Sequence, residues 1–209
     1  KDIATELAKE NRVTVLCPTP TRPHGFTFAN EPDCKDYKVV RLNSYTCSAS
    51  KIAGRFKESY SFGKHCYKFI VQNHENIDVI YANTWPLLAQ YFGVKAAKKF
   101  KIPIIIHVQD VYPESLSNKI PNFSALVNFI LLPIDRYVLQ KAMKIIAISD
   151  KMKNYLFKTR KIELGKIEVV QNWQDEAAFM KYEMSMNLDE SNKPFTFMYL
   201  GNIGPVAGI

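Results

Sequence analysis

Short apolar runs recur at residues 13–16, 37–42, 78–82, 103–106, 144–148 and 166–170, with segments long enough for helices between most of them. Strands joined by connections of a dozen or more residues cannot form hairpins, so they pair in parallel and helices cover the faces of the sheet. This alternation restricts the chain to the α/β class, with a doubly wound parallel sheet. The helices are expected over Asp2–Glu10, Ser50–Gln72, Pro86–Phe100, Asn122–Met143 and Asp150–Lys158, with Ser149 as the N-cap of the last and Pro133 kinking or dividing the fourth.

The stretch PIIIHVQDVYPESL, Pro103 to Leu116, organises the rest. Its Ile-rich run is too short for a helix and apolar enough to be a strand buried on both faces, hence central and parallel. Ligands of open α/β sheets bind beyond the carboxyl ends of the strands, where the reading places His107, Asp110, Tyr112 and Glu114. Pro113 stiffens the turn between them. The same residues could equally cap a strand end and satisfy backbone donors.

The Ser50–Gln72 helix carries Ile52, Phe56, Tyr60, Gly63, Tyr67 and Ile70 at spacings of three and four residues, with Lys51, Arg55, Lys57, Lys64 and Lys68 beside or opposite them. Such a stripe either packs into the core or lies on an anionic bilayer. The formal charge of +8 implies an acidic partner: nucleic acid, an anionic membrane surface or a phosphorylated substrate. Cys17, Cys34, Cys47 and Cys66 show neither CxxC spacing nor a nearby His pattern, so they read as reduced thiols of a cytoplasmic protein. The apolar stretch from Phe123 to Ile134 falls short of the roughly 20 residues that a membrane span needs.

Periodicity fades over Phe179–Lys193, which ends at Pro194 and reads as a linker. A fresh strand at Phe195–Leu200 leads into the glycine-rich loop of Gly201, Asn202, Ile203 and Gly204. The domains are thus expected at 1–178 and, truncated, at 195–209, with the linker at 179–194. Because Lys1 opens in mid-helix and Ile209 follows a new strand closely, the sequence reads as a fragment.

The stretches HVQDVYPESL, AISDKMKNYL, KIEVVQNWQDEAAF and FMYLGNIGPVAGI, in this order, resemble a group 1 (family 4) glycosyltransferase of bacterial surface-polysaccharide synthesis, of the capsule or O-antigen kind. The resemblance implies a GT-B fold, here a Rossmann-like N-terminal domain without its first strand and the start of a second Rossmann-like domain. It also implies transfer of a sugar from a nucleotide-sugar donor to a lipid-diphosphate-linked or saccharide acceptor, with retention and without a metal or other cofactor. In the roles it carries over, His107 and Asp110 are catalytic, Trp85, Tyr112 and Glu114 bind the acceptor, and Gly201, Asn202 and Gly204 bind the donor. Arg55, Lys57 and Lys64 would contact the inner face of the membrane. The basic pair and the two spaced glutamates of the family's second domain would lie beyond Ile209, so the fragment is expected to be inactive alone. Two other readings stay open: a sugar-nucleotide epimerase of the same fold, which needs no acceptor, and a non-catalytic basic module for membrane or nucleic acid. No helix-turn-helix or stacking-aromatic motif supports nucleic-acid binding.

Overall fold

Among the described residues all strand pairings are parallel, as the long crossovers require, but they fall into two sheets. The computed structural model describes residues 2–20, 36–47, 52–83, 86–118, 121–172, 176 and 180–181. Within them β1 (Thr14–Pro18) pairs with β2 (Lys38–Leu42), while β3 (Ile80–Asn83), β4 (Ile104–Val108), β5 (Lys144–Ala147) and β6 (Ile167–Val169) form the second sheet in sequence order. The helices are α1 (Asp2–Ala8), α2 (Ile52–Asn73), α3 (Leu87–Phe100), the single turn α4 (Glu114–Ser117), α5 (Ser124–Lys141) and α6 (Asp150–Arg160). This is a Rossmann-like α/β arrangement, and β4 is central and parallel to both neighbours. The expected single sheet is divided here, because no pairing among the described residues joins β1 and β2 to the other four strands.

Sequence-order strands with right-handed crossovers place α3, α5 and α6 on one face of the larger sheet. Consistent with this, Ile104, Ile106 and Val108 of β4 share one buried cluster with Val94 and Ala97 of α3, Val138 and Leu139 of α5 and Leu156 of α6. The alternate residues of β4, Ile105 and His107, therefore point to the other face. Ser149 caps α6 as expected, its hydroxyl accepting from the amide of Met152 at 3.2 Å. The helix α5 runs through Pro133 without dividing. Pro133 is exposed, so the carbonyl it leaves without an amide partner can bond to water.

Of the apolar stripe expected on α2, Gly63 and Ile70 are buried and Phe56 and Tyr67 pack against the core, but Tyr60 does not join them. The buried line of the helix is Ser59, Phe62, Gly63, Cys66 and Ile70, while Tyr60 is 47% exposed. Close approach to α3 explains the difference: small residues line the contact, and Ser59 does polar work that a hydrophobicity pattern does not register. The N-terminal amides of α3 lack a side-chain cap from Pro86, and the Ser59 hydroxyl accepts from the amide of Leu88 at 3.1 Å instead. Burial against this packed face also pushes the Cys66 thiol up to about 12, so it behaves as a small apolar side chain.

Gly63 sets the helix separation. A methyl group there would meet Phe92 Cδ2 at 2.7 Å, Ala89 Cα at 2.9 Å and the Leu88 carbonyl oxygen at 2.9 Å, and two of these are backbone atoms that cannot swing away. Gly63→Ala gains up to about 1 kcal/mol in helix propensity, but overpacking of this kind costs about 1–3 kcal/mol. We expect a net fall in melting temperature, larger for Gly63→Val, measured by thermal unfolding; a stabilised Gly63→Ala would show that the helices part easily.

The chain divides into two compact units, Lys1–Asn172 and Trp173–Ile209. The linker expected at 179–194 and the strand and loop expected at 195–209 lie outside the described residues, apart from 180–181.

Candidate active site

At the carboxyl end of β4 the chain leaves the sheet through Gln109 and Asp110, both exposed, and turns through Val111, Tyr112 and Pro113 into α4. The Tyr112–Pro113 peptide is cis. Asp110 is thus a carboxylate that the carboxyl end of β4 presents to solvent.

His107 departs from its expected place. It is a residue of β4, not of the turn after it, with Asn83 and Ile146 as its neighbours in register, and it is only 2% exposed. The strand is longer than its apolar run, because a His that faces the second side of the sheet can be paired and buried like any other strand residue. Its Nδ1 lies 2.5 Å from the hydroxyl of Tyr81 on β3. Burial lowers the pKa of His107 and raises that of Tyr81, so a neutral imidazole and a neutral phenol share this hydrogen bond.

Tyr112 is buried, and its ring belongs to the main core cluster. Burial, with the charge of Asp135 adding to it, raises its pKa. The position expected to touch an acceptor is thus filled by a core side chain.

Glu114 turns inward as well. Both of its oxygens are held by Arg160, Oε1 from Nη1 and Oε2 from Nη2, each at 2.7 Å, and Oε1 also accepts from the Tyr155 hydroxyl at 2.8 Å. Burial alone would push this carboxyl up, but the bonds from Arg160 and Tyr155 outweigh it and hold the pKa below its usual value. A carboxylate so engaged is poorly placed to deprotonate an acceptor hydroxyl. Arg160, at the end of α6, is fully buried, and its Nε donates to Asp135 of α5 at 2.6 Å. Burial raises the pKa of Asp135 to about 6, because one guanidinium serves two carboxylates and offsets only part of the cost.

The sequence reading missed Arg160, Asp135, Tyr155 and Tyr81. Asp135 carried a usable signal, a lone acid inside the apolar run FILLPIDRYVL, since a buried charge needs a partner. Arg160 lies beyond the expected end of that helix at Lys158 and gave no such signal.

Among the membrane-contact candidates, Arg55 is half-buried and pairs with Glu58 at 3.4 Å, while Lys57 and Lys64 lie over the rings of Tyr45 and Tyr60 at 4.4 and 5.3 Å. Trp85, Gly201, Asn202 and Gly204 lie outside the described residues. Among the described residues, no group of three or more His, Cys, Asp or Glu side chains could hold a metal ion.

The model of the family described as Glycosyltransferase Family 4 matches residues 1–177. The chain belongs to that family. Residues 1–177 include both β4 with its exposed Asp110 and the α6 end that carries Arg160, so the glycosyltransferase family 4 match spans the whole candidate site. A crystal structure of a glycosyltransferase from Rickettsia africae ESF-5 is similar at 19% identity and a TM-score of 0.41, over 85% of this chain and 51% of that one. The family 4 chain therefore spans about half the length of that protein. A search of curated proteins gave no match.

Proposed function

We propose that this chain is the acceptor-side part of a glycosyltransferase that moves a sugar from a nucleotide-sugar donor to a lipid-diphosphate-linked or saccharide acceptor in bacterial surface-polysaccharide synthesis. The observation that carries the reading is the family match over residues 1–177. Asp110, exposed where ligands of parallel sheets bind, supports a catalytic carboxylate that orients or deprotonates the acceptor hydroxyl. His107 sits one layer behind, buried, neutral and hydrogen-bonded to Tyr81, and the family resemblance gives it a part in the departure of the donor sugar. The leaving diphosphate would be stabilised by backbone amides and basic groups of the second domain, with retention at the transferred carbon.

The test uses the full-length protein, a panel of UDP- and GDP-sugars, and polyprenyl-diphosphate-linked monosaccharide as acceptor. Acceptor-dependent release of nucleoside diphosphate, lost in Asp110→Asn, is the expected result. Release without acceptor would favour the epimerase reading, and no turnover of any donor would overturn the proposal.

The lipid side of the acceptor finds support on a different helix from the one the sequence suggested. The buried side of α2 is covered by α3, whereas α5, which starts at the same end of the sheet as Asp110, exposes Phe123, Leu126, Phe129 and Ile130 at 62%, 55%, 80% and 53%. No charged residue occurs from Pro121 to Ile134. Among the described residues no helix is long and apolar enough to cross a membrane, so a bilayer would be met at its surface. We expect the full-length protein to sediment with anionic vesicles, and Phe123→Ser with Phe129→Ser to reduce the bound fraction about tenfold or more. The Arg55→Glu, Lys57→Glu pair should change binding far less. Equal binding by all variants would remove α5 as the contact.

A further inference from the structure

The Arg160 side chain has more partners than an ion pair needs. Its five N–H groups meet five acceptors: Asp135 Oδ2 from Nε, Glu114 Oε1 and Thr159 Oγ1 from Nη1, and Glu114 Oε2 and the Tyr112 carbonyl from Nη2. These partners lie on α5, on α6 itself, on the turn after β4 at Tyr112 and at Glu114, the first residue of α4. The turn is therefore fixed at both ends, at one by the pairing of β4 with its neighbours and at the other by a guanidinium that grips Tyr112 and Glu114. Asp110 lies between the two fixed points.

We infer that Arg160 is a positioning residue of the transfer site, holding the 109–113 turn so that Asp110 keeps one placement at the end of β4; this rests on the glycosyltransferase reading above. The planar fork with five N–H groups binds two carboxylates and a carbonyl at once. An ammonium keeps the charge but offers three rotatable donors on a single nitrogen, so lysine cannot reproduce the grip. The rest of the cluster is arranged to keep the fork in place. Gln140 of α5 donates to the Arg160 carbonyl at 2.9 Å, and Arg136 donates to the Thr159 carbonyl at 3.2 Å, fixing the end of α6 from which the side chain projects.

The inference separates placement from stability. In Arg160→Lys of the full-length protein, amide hydrogen exchange of residues 109–112 should rise at least tenfold. The turnover number for release of nucleoside diphosphate from the active UDP- or GDP-sugar should fall about 10- to 100-fold, with donor KM within threefold of the parent. Should Arg160→Lys fail to fold, Glu114→Gln takes its place, losing one arm of the fork while leaving Arg160 paired with Asp135. Gly63→Ala serves as the control, since it strains the α2–α3 contact without touching the turn and should leave turnover unchanged below its melting temperature. Unchanged exchange at 109–112, or a turnover loss no larger than that of the Gly63 control, would overturn the inference. Absence of any turnover in the parent protein would instead count against the glycosyltransferase reading, and the exchange measurement would still decide whether Arg160 holds the turn.

Discussion

Arg160→Ala is expected to lower the free energy of unfolding by about 3–5 kcal/mol, the usual range for removing one partner of a buried ion pair. The reason is the company it leaves behind. Glu114 and Asp135 would face each other without a cation, and the Tyr112 carbonyl would lose a donor. Urea unfolding should show an earlier midpoint with a nearly unchanged slope. A shift below about 1 kcal/mol would mean that water reaches the carboxylates and takes over the role of the guanidinium.

Removing Asp135 has a different consequence, because it leaves Arg160 with Glu114 as a neutral, bidentate pair. The folded pKa of Asp135 is raised to about 6 from an ordinary value near 3.8. The folded state therefore binds a proton more tightly than the unfolded chain. The stability this contributes is fully present below about pH 4 and is lost as pH rises through about 6. His107 works in the opposite sense: burial lowers its pKa below the usual 6.5, so its contribution is present above that value and is lost as pH falls. The two windows overlap, and the parent protein should show a shallow profile. Asp135→Asn removes one slope and should expose the other, with stability falling more steeply below pH 6.

Why the fold could be read from the sequence while the site was read only in part comes down to which interactions leave a local trace. The central place of β4 followed from Ile104–Ile106, since an apolar run too short for a helix is stable only with neighbours on both edges and cover on both faces. The cap at Ser149 was equally local. Burial of His107 was not, because a polar residue at the end of an apolar run looks the same whether it continues the strand or leaves it. The grip of Arg160 on Glu114 joins residues 46 positions apart, and nothing near either one announces the other. The expectation for α2 missed at Tyr60 for a third reason: hydrophobicity weighs Tyr60 above Ser59, while helix contact selects the smaller side chain and uses its hydroxyl.

His107 is where sheet packing and the proposed chemistry meet, and two substitutions separate them. His107→Ala leaves a cavity beside Tyr81 and Ile146 and should cost about 2–5 kcal/mol, as large-to-small changes in cores do. Any activity lost with it would be ambiguous. His107→Gln keeps most of the volume and can still bond to the Tyr81 hydroxyl, so its melting temperature should stay much closer to that of the parent. If the imidazole acts on the donor sugar, the Gln variant should still lose about 10²-fold in kcat, the scale of removing one group that stabilises a transition state. The size of that loss, set against a small stability change, decides the role. Near-normal turnover in His107→Gln would make His107 a strand residue whose only task is to hold β3 and β4 together, and Asp110 would then be the remaining catalytic candidate in the stretch from β4 to α4.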